Sequence, residues 1–248
     1  GFEERFSDVV IKTIFILGSC HERYDIINCQ DQIDDESQLH HDIVQADFTD
    51  SYYNNTIKIM MAFKWAVMNC PQAQHILFVD DDYYVSIKNL LKYIRSFSDS
   101  NNEVLTSDFS SNDDSDFDGR LYTGFVFPTS TPMRHKISKW FVSLDEYPYS
   151  HYPPYVTAGA FLLSNKSLSD MYFASLYTKL FKLDDIYIGI LAKKVSIEPI
   201  HNNNFIFWQS KLPSYDNEKF SNVIASHGFD NTEFLIKTWN QQKTLGNS

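Results

Sequence analysis

The most constraining feature of the sequence is an apolar run that ends in three consecutive acids. Ile76–Val79 leads directly into Asp80, Asp81 and Asp82. A short, uninterrupted apolar run is typical of a strand buried on both faces in a parallel or mixed sheet. Because side chains alternate along an extended chain, we expect Asp80 and Asp82 on one side and Asp81 on the other. The run therefore predicts an α/β fold with acids at the end of a strand.

Adjacent carboxylates beside a buried strand repel one another, because the surrounding protein reduces their screening by water. A positive partner is therefore expected. In open α/β sheets, ligands bind outside the carboxyl ends of the strands, and carboxylate oxygens suit Mg²⁺ or Mn²⁺. We predict a divalent ion that holds a phosphate-bearing substrate. The alternative interpretation is a solvated acidic turn without a ligand.

Length and charge restrict the class of protein. The chain has 248 residues with 43% hydrophobic and 21% charged residues, which fits a globular protein able to bury a sizeable core. A net charge of -11 without an evident basic patch argues against a nucleic-acid partner or an anionic membrane surface. No apolar run has the length of a membrane span. Because the chain begins at Gly1, we expect a fragment or a mature domain.

Cysteines and sequons give conditional predictions. Cys20, Cys29 and Cys70 allow one internal disulfide and leave one thiol, and their number does not fix the pairing. Asn54 and Asn165 each begin an Asn-x-Ser/Thr triplet. They are candidate glycosylation sites if the domain is luminal or secreted, although such triplets also arise by chance.

Strand-type and helix-type patterns alternate along the first half of the chain, which predicts helices packed on a sheet. Neither a repeat nor a linker interrupts the sequence, so residues 1–248 are predicted to form a single domain. Residues 98–119 are predicted to be a polar surface loop. The predicted strands are 9–17, 42–46, 76–79, 121–127, 155–163 and 223–227, and the predicted helices are 31–40, 56–70, 87–97, 167–179 and one that begins at 184.

Three further positions are candidates for a site. Gly159 interrupts a predicted strand, and glycine there often marks the close approach of a ligand or of another backbone. Asp184 and Asp185 begin a helix, where the dipole favours acids. Asp184 could be an N-cap, or a carboxylate in this position could be a general base. His227 ends the last predicted strand, and a lone histidine is more often structural than a ligand.

Five stretches, in this order, resemble the β1,3-glycosyltransferase family that includes β1,3-galactosyltransferases, β1,3-N-acetylglucosaminyltransferases and Fringe. Together they extend over most of the chain, from residue 14 to residue 189. Two other stretches, residues 135–148 and 223–227, resemble a member that adds β1,3-linked N-acetylglucosamine to the mannose of a glycolipid. The five are residues 14–18 (IFILG), 47–58 (DFTDSYYNNTIK), 78–85 (FVDDDYYV), 152–160 (YPPYVTAGA) and 184–189 (DDIYIG).

The resemblance implies a GT-A fold, with a mixed, mostly parallel sheet flanked by helices, and a metal-dependent inverting mechanism. Residues 80–82 match the family's Asp-x-Asp motif. Asp82 is expected to ligate Mn²⁺ (or Mg²⁺), Asp80 to do so directly or through water, and Asp81 to lie near the ribose. Gly159 is expected beside them on the donor side. His227 matches a further metal ligand.

The resemblance also implies the acceptor side. Asp185 matches the catalytic base, and Asp184, Tyr155 and Trp140 are expected to bind the acceptor. The implied reaction moves N-acetylglucosamine from UDP-N-acetylglucosamine to the 3-hydroxyl of a mannose or galactose on a glycolipid or glycoprotein. Transfer of galactose by the same mechanism is the alternative. The implied location is the Golgi lumen, with an upstream segment as the membrane anchor.

Two departures from the family pattern matter. The family's first strand, with its arginine-rich segment, is missing upstream of residue 14, and part of the nucleotide site is expected from it. Relatives like the member that residues 135–148 and 223–227 resemble carry a cysteine directly after the histidine that matches His201, whereas Asn202 stands here. The partner of Cys70 is therefore left open.

Two other classes of protein compete with this interpretation. A haloacid-dehalogenase-type phosphatase also places Asp-x-Asp after an apolar strand, but it expects Thr or Val where Tyr84 stands. A non-catalytic sugar-binding module would use tyrosines as stacking platforms, although most tyrosines are better explained by core packing.

Overall fold

The computed structural model describes residues 6, 8–20, 26–106, 118–207 and 220–247, with only the backbone for 26–27 and 99–106. Within these ranges, strands and helices alternate in the first part of the chain and occur in groups of two or three in the rest. The strands are β1 (Phe15–Ser19), β2 (Ile43–Thr49), β3 (His75–Val79), β4 (Tyr83–Val85), β5 (Tyr122–Phe127), β6 (Tyr155–Ser164), β7 (Ile200–His201), β8 (Phe205–Ile206) and β9 (Ala225–His227). The helices are α1 (Ile26–His40), α2 (Asn55–Asn69), α3 (Ile87–Thr106), α4 (Asn165–Ser175), α5 (Asp184–Lys194) and α6 (Thr232–Thr244), and a 3₁₀ turn spans Tyr52–Asn54.

The described strands form three sheets, in the orders β3-β6-β5-β7, β4-β9-β8 and β1-β2. The pairs β1/β2, β5/β7 and β8/β9 are parallel. The pairs β3/β6, β5/β6 and β4/β9 are antiparallel. The predicted mixed α/β architecture is confirmed. Parallel strand pairs are fewer than predicted, because β6 is antiparallel to both of its neighbours, β3 and β5.

The two largest errors in the predicted boundaries are the start of the first strand and the end of α3. The first strand begins at Phe15 rather than Val9, because its pairing with β2 begins at Phe15 opposite Ile43. Helix α3 continues to Thr106 through half of the predicted polar loop. Neither proline nor glycine interrupts the sequence there, so nothing local ends the helix. The rest of that loop, residues 107–117, lies outside the described residues.

Strand β3 is not buried on both faces, contrary to prediction. Ile76, Leu77 and Phe78 are half-buried, and Val79 is 42% exposed. Among the described strands, β3 pairs only with β6. A cavity of about 1870 Å³ is lined by β1, β3, α2 and α3. The expectation that one family strand is missing upstream of β1 stays a prediction.

The buried central strand is β6. Val156, Phe161 and Leu163 are fully buried, and the α4 and α5 side chains that pack in the same cluster include Met171 and Leu191. Helix α5 lies directly on the start of β6, because a Cβ on Gly189 would stand 2.6 Å from the Tyr155 Cβ. Residues four apart share a helix face, so this contact also sets the position of Asp185.

Cys20 and Cys29 form a disulfide, and Cys70 is a free, half-buried thiol. The expectation of one bridge and one remaining thiol is therefore confirmed. None of the helices in the described part of the chain is long and apolar enough to cross a bilayer.

Both sequon asparagines make hydrogen bonds inside the fold. Asn54 Nδ2 donates to the Thr49 carbonyl oxygen at 2.8 Å. Asn165 Nδ2 donates to the carbonyl oxygens of Cys70 at 3.1 Å and Ala73 at 2.8 Å. A glycan on Asn165 would replace one of these two donors, so the structure gives this side chain a packing role. Glycosylation at Asn54 and at Asn165 stays a prediction.

Asn165→Ala should lower the free energy of unfolding by about 1–3 kcal/mol, because it removes the donor for two partly buried carbonyls. Chemical denaturation of the variant and the parent chain measures this difference. The matched control is Asn69→Ala, since Asn69 is exposed and bonds one carbonyl within its own helix. Its effect should stay within about 0.5 kcal/mol. Equal effects of the two substitutions would contradict the packing role.

Candidate active site

The acidic turn joins β3 to β4 and is fixed by backbone hydrogen bonds. The Asp80 amide donates to the Gly159 carbonyl oxygen at 2.9 Å, and the Phe229 amide donates to the Asp82 carbonyl oxygen at 2.9 Å. The antiparallel pairing of β4 and β9 places Tyr83 opposite His227. The turn is therefore held between β6 and the chain that follows β9.

This pairing brings two predicted metal ligands together. His227 Nε2 lies 3.0 Å from Asp82 Oδ2. The other oxygen, Asp82 Oδ1, is buried and has no hydrogen-bond partner. A buried carboxylate oxygen without a partner is costly, so it indicates that a cation or a donor belongs there.

Asp80 lines the cavity between β1 and β3, and it is exposed to solvent. The surrounding protein nevertheless removes part of its hydration. That loss, followed by the charges of Asp82, Asp184 and Asp81, raises the pKa of Asp80 to about 7. Lys58 acts in the opposite direction. The structure therefore concentrates more negative charge at this point than its own cations offset.

Lys58 and Asp50 are the site-lining residues to which the sequence pattern assigned no role. Lys58 Nζ lies 3.0 Å from Asp50 Oδ2. That same oxygen accepts a hydrogen bond from the Gly18 amide at 2.9 Å. Both side chains belong to the 47–58 stretch, but only the fold shows that they tie β1 to α2 beside Asp80.

A second group of acids, Asp184 and Asp185, begins α5. Leu183 is the N-cap and makes no side-chain capping bond, so the alternative that Asp184 is an N-cap is wrong. Asp185 Oδ1 accepts a hydrogen bond from the Ile186 amide at 2.7 Å. Burial, followed by the charge of Asp184, raises the pKa of Asp185 to about 7. Burial also raises the pKa of Asp184. The helix dipole favours ionised acids in a first helical turn, so raised pKa values are unusual at this position.

Tyr155 and Trp140, both predicted to bind the acceptor, lie in different environments. Tyr155 is 7% exposed, and its hydroxyl accepts a hydrogen bond from Ser130 Oγ at 3.4 Å. Burial raises the pKa of Tyr155, with Asp185 acting in the same direction. Trp140 is 47% exposed, with Lys139 Nζ 4.6 Å from the centroid of its ring. Tyr155 is therefore buried near Asp185, whereas Trp140 lies on the surface.

The space beside Gly159 is filled by a side chain of the same chain. A Cβ at Gly159 would stand 2.4 Å from the Tyr83 hydroxyl oxygen. The close approach predicted from this glycine is therefore made by Tyr83 and not by a ligand. Donor binding by Gly159 stays a prediction that concerns its backbone.

In the described part of the chain, no group of three or more His, Cys, Asp or Glu side chains is arranged as it stands to hold a metal ion. The chemical types are nonetheless those of a divalent-cation site. Carboxylate oxygens and an imidazole nitrogen meet at Asp82 and His227, and the buried Asp82 Oδ1 has no partner.

The sequence matches a known protein family and several named relatives. The Galactosyltransferase family matches residues 2–203. Beta-1,3-galactosyltransferase brn of Drosophila melanogaster is 43% identical over 242 residues, which are 97% of this chain and 67% of that protein. Beta-1,3-galactosyltransferase bre-5 of Caenorhabditis elegans is 38% identical over 92% of this chain and 64% of its own length. The human beta-1,3-galactosyltransferase 1 is 30% identical over 98% of this chain and 67% of its own length.

Among solved structures, the chain is similar to a glycosyltransferase involved in the glycosylation of the major capsid of PBCV-1. The TM-score is 0.39 and the identity is 15%, with 91% of this chain and 98% of the other covered.

The chain spans about two thirds of the length of the curated relatives that it matches. The family match includes residues 80–82 and 184–185. It removes the support for a phosphatase or a non-catalytic sugar-binding module. On this evidence the chain belongs to the Galactosyltransferase family and is a glycosyltransferase, with β1,3-galactosyltransferases among its relatives.

Proposed function

We propose that this domain transfers a hexose from a UDP-sugar to the 3-hydroxyl of an acceptor sugar in a single inverting displacement. The observation that carries the proposal is the proximity of two acidic groups. The charge of Asp184, at the start of α5, raises the pKa of Asp80, at the end of β3. The acids at 80–82 suit the binding of a cation with a diphosphate. The acids at 184–185 suit the removal of a proton from a hydroxyl.

The residues present fit a divalent ion, and Mn²⁺ or Mg²⁺ is proposed. Asp82 and His227 would hold it, with Asp80 directly or through water. The buried, unpartnered Asp82 Oδ1 supports this assignment. When bound, such an ion supplies Lewis-acid neutralisation of the charge on the departing UDP. Asp81 is exposed beside the turn, where it is proposed to contact the ribose.

Asp185 is the proposed base. The hydrogen bond from the Ile186 amide fixes one of its oxygens, which orients the carboxylate. Asp185 takes the proton of the acceptor 3-hydroxyl as that oxygen attacks the anomeric carbon. The bond from this carbon to the UDP oxygen breaks, and its electron pair leaves with UDP. Attack opposite the leaving group converts an α-linked donor into a β-linked product, and Asp184 orients the acceptor by accepting from another hydroxyl.

Two donors are supported by different observations. The resemblance of residues 135–148 and 223–227 supports N-acetylglucosamine. The names of the matched relatives support galactose. N-acetylglucosamine is proposed as the donor sugar and galactose as the second candidate, with a mannose or galactose acceptor on a lipid or protein.

A luminal Golgi location is proposed for the domain. The Cys20–Cys29 disulfide supports it, because such bridges persist in oxidising compartments. The proposal includes an upstream membrane anchor and a first strand, and the wide cavity between β1 and β3 supports the strand.

Asp82→Asn should weaken UDP binding in the presence of Mn²⁺ at least about tenfold while retaining the fold, because the amide keeps the shape and loses the ligand charge. Isothermal calorimetry measures this change. The control is Asp31→Asn, an exposed α1 acid, which should leave the affinity unchanged. Undiminished UDP binding by Asp82→Asn, or by the parent chain in EDTA, would count against the cation site.

Asp185→Asn should lower the transfer rate by roughly 10²–10⁴-fold and leave UDP binding intact, because an amide cannot accept the hydroxyl proton. Steady-state kinetics with calorimetry separates the two effects. Asp184→Asn is the matched neighbour, and it should raise the acceptor KM more than it lowers kcat.

The same account gives a pH dependence with a definite sign. Because the base must be ionised and its pKa is raised to about 7, the parent rate should fall as the pH decreases through 7. Full activity in Asp185→Asn would assign the base to another residue.

A further inference from the structure

Arg134 holds the shape of a long surface segment, residues 130–152, which we call the Arg134 loop. The ends of the loop meet, because the Tyr152 amide donates to the Ser130 carbonyl oxygen at 3.0 Å. Inside it, the Arg134 guanidinium donates to four carbonyl oxygens in two stretches of the segment, residues 142–143 and 147–149. They are those of Val142 at 2.8 Å, Ser143 at 2.8 Å, Tyr147 at 2.8 Å and Tyr149 at 3.0 Å.

The geometry requires arginine. A guanidinium presents five N–H donors in a planar fork, whereas a lysine ammonium carries three donors on one nitrogen. Nη1 serves the carbonyls of residues 142 and 143, and Nη2 serves those of residues 147 and 149. A single ammonium nitrogen cannot reach both pairs with the same geometry. Arg134 therefore joins two stretches of the loop from within.

Lys182 fastens the Arg134 loop to the segment that leads into α5. Its Nζ lies 2.9 Å from Glu146 Oε1 and 5.6 Å from the centroid of the Phe141 ring. The Tyr147 and Phe181 rings also pack together, with centroids 5.8 Å apart. Lys182 stands two residues before Asp184. The position of the loop is thus tied to the acidic pair that begins α5.

The outer surface of the loop carries exposed aromatic rings on this fixed frame. Trp140 is 47% exposed and Tyr149 is 68% exposed. Lys139 Nζ stands 4.6 Å from the Trp140 ring centroid and 5.4 Å from that of Tyr52, so the loop also meets the 3₁₀ turn before α2. Exposed rings on a rigid frame give contact area at a low entropic cost.

We propose that the Arg134 loop binds the acceptor glycan beyond the sugar that reacts, and that Arg134 is the positioning residue for this subsite. The inference rests on the proposed function, because it places the reacting sugar at Asp184 and Asp185. The ligand class is an oligosaccharide whose second ring stacks on an exposed aromatic ring of the loop. Arg134 acts through the loop and does not itself touch the acceptor.

The test compares Arg134→Lys with the parent chain, with UDP and Mn²⁺ present. Saturation-transfer NMR or calorimetry measures binding of disaccharide glycosides that end in mannose or galactose, and of the matching methyl monosaccharides. Disaccharide affinity should fall at least about tenfold, since small misplacements of a site cost up to about 100-fold. Monosaccharide and UDP affinities should change less than about threefold. In kinetics, the acceptor KM should rise without a matching loss of kcat.

Arg95→Lys is the control, because Arg95 is a surface residue of α3 paired with Asp8, and it should change none of these values. Equal disaccharide affinity in the parent chain and Arg134→Lys would overturn the inference. So would an equal loss of disaccharide, monosaccharide and UDP affinity, which would indicate a general structural role. Disaccharide binding that depends on Arg134 in a chain that transfers no sugar would refute the proposed function and leave the subsite standing.

Discussion

The site depends on a cost that the fold imposes on its carboxylates, first through their burial and then through their mutual repulsion. The pKa values of Asp80 and Asp185 are raised from an ordinary value of 3.8 to about 7. In the unfolded chain both groups would lose their protons near pH 4, whereas in the folded chain they keep them until about pH 7. Their contribution to stability is therefore fully present below about pH 4 and is lost as the pH rises towards 7. At neutral pH the arrangement opposes folding, which is understandable if it serves a cation and a reaction.

The scaffold maintains this arrangement through close backbone contacts. Helix α5 approaches β6 at Gly189, which leaves no space for a side chain against Tyr155. On the neighbouring stretch of β6, Gly159 leaves room for the Tyr83 ring, and Tyr83 pairs with His227 across β4 and β9. Strand β6 therefore sets the position of Asp82 and His227 relative to the proposed base, Asp185. Larger side chains at Gly159 and Gly189 would displace residues 80–82 relative to Asp184 and Asp185.

The sequence identified the acidic residues of the candidate site more readily than it predicted the packing around them. Adjacent acids after an apolar run are a local signal, and so is an acidic pair at a helix start, so residues 80–82 and 184–185 were identified directly. The contact of Asp82 with His227 depends on β4–β9 pairing between distant parts of the chain, and only the family resemblance suggested it. The burial of β3 was overestimated because apolarity alone does not reveal whether a strand has one partner or two. Arg134 gave no signal, since an isolated arginine in a polar, aromatic stretch does not show which carbonyls it will collect.

The most direct test of the account is the structure of the product. A panel of UDP-sugars is incubated with mannose- and galactose-terminated acceptors and Mn²⁺, and the linkage is determined by NMR. The account predicts a β-anomeric signal with substitution at the acceptor 3-hydroxyl, because Asp185 activates that hydroxyl for attack opposite the departing UDP. An α-linked product would contradict the single displacement, and release of free sugar without transfer would contradict the assignment of Asp184 and Asp185 to the acceptor.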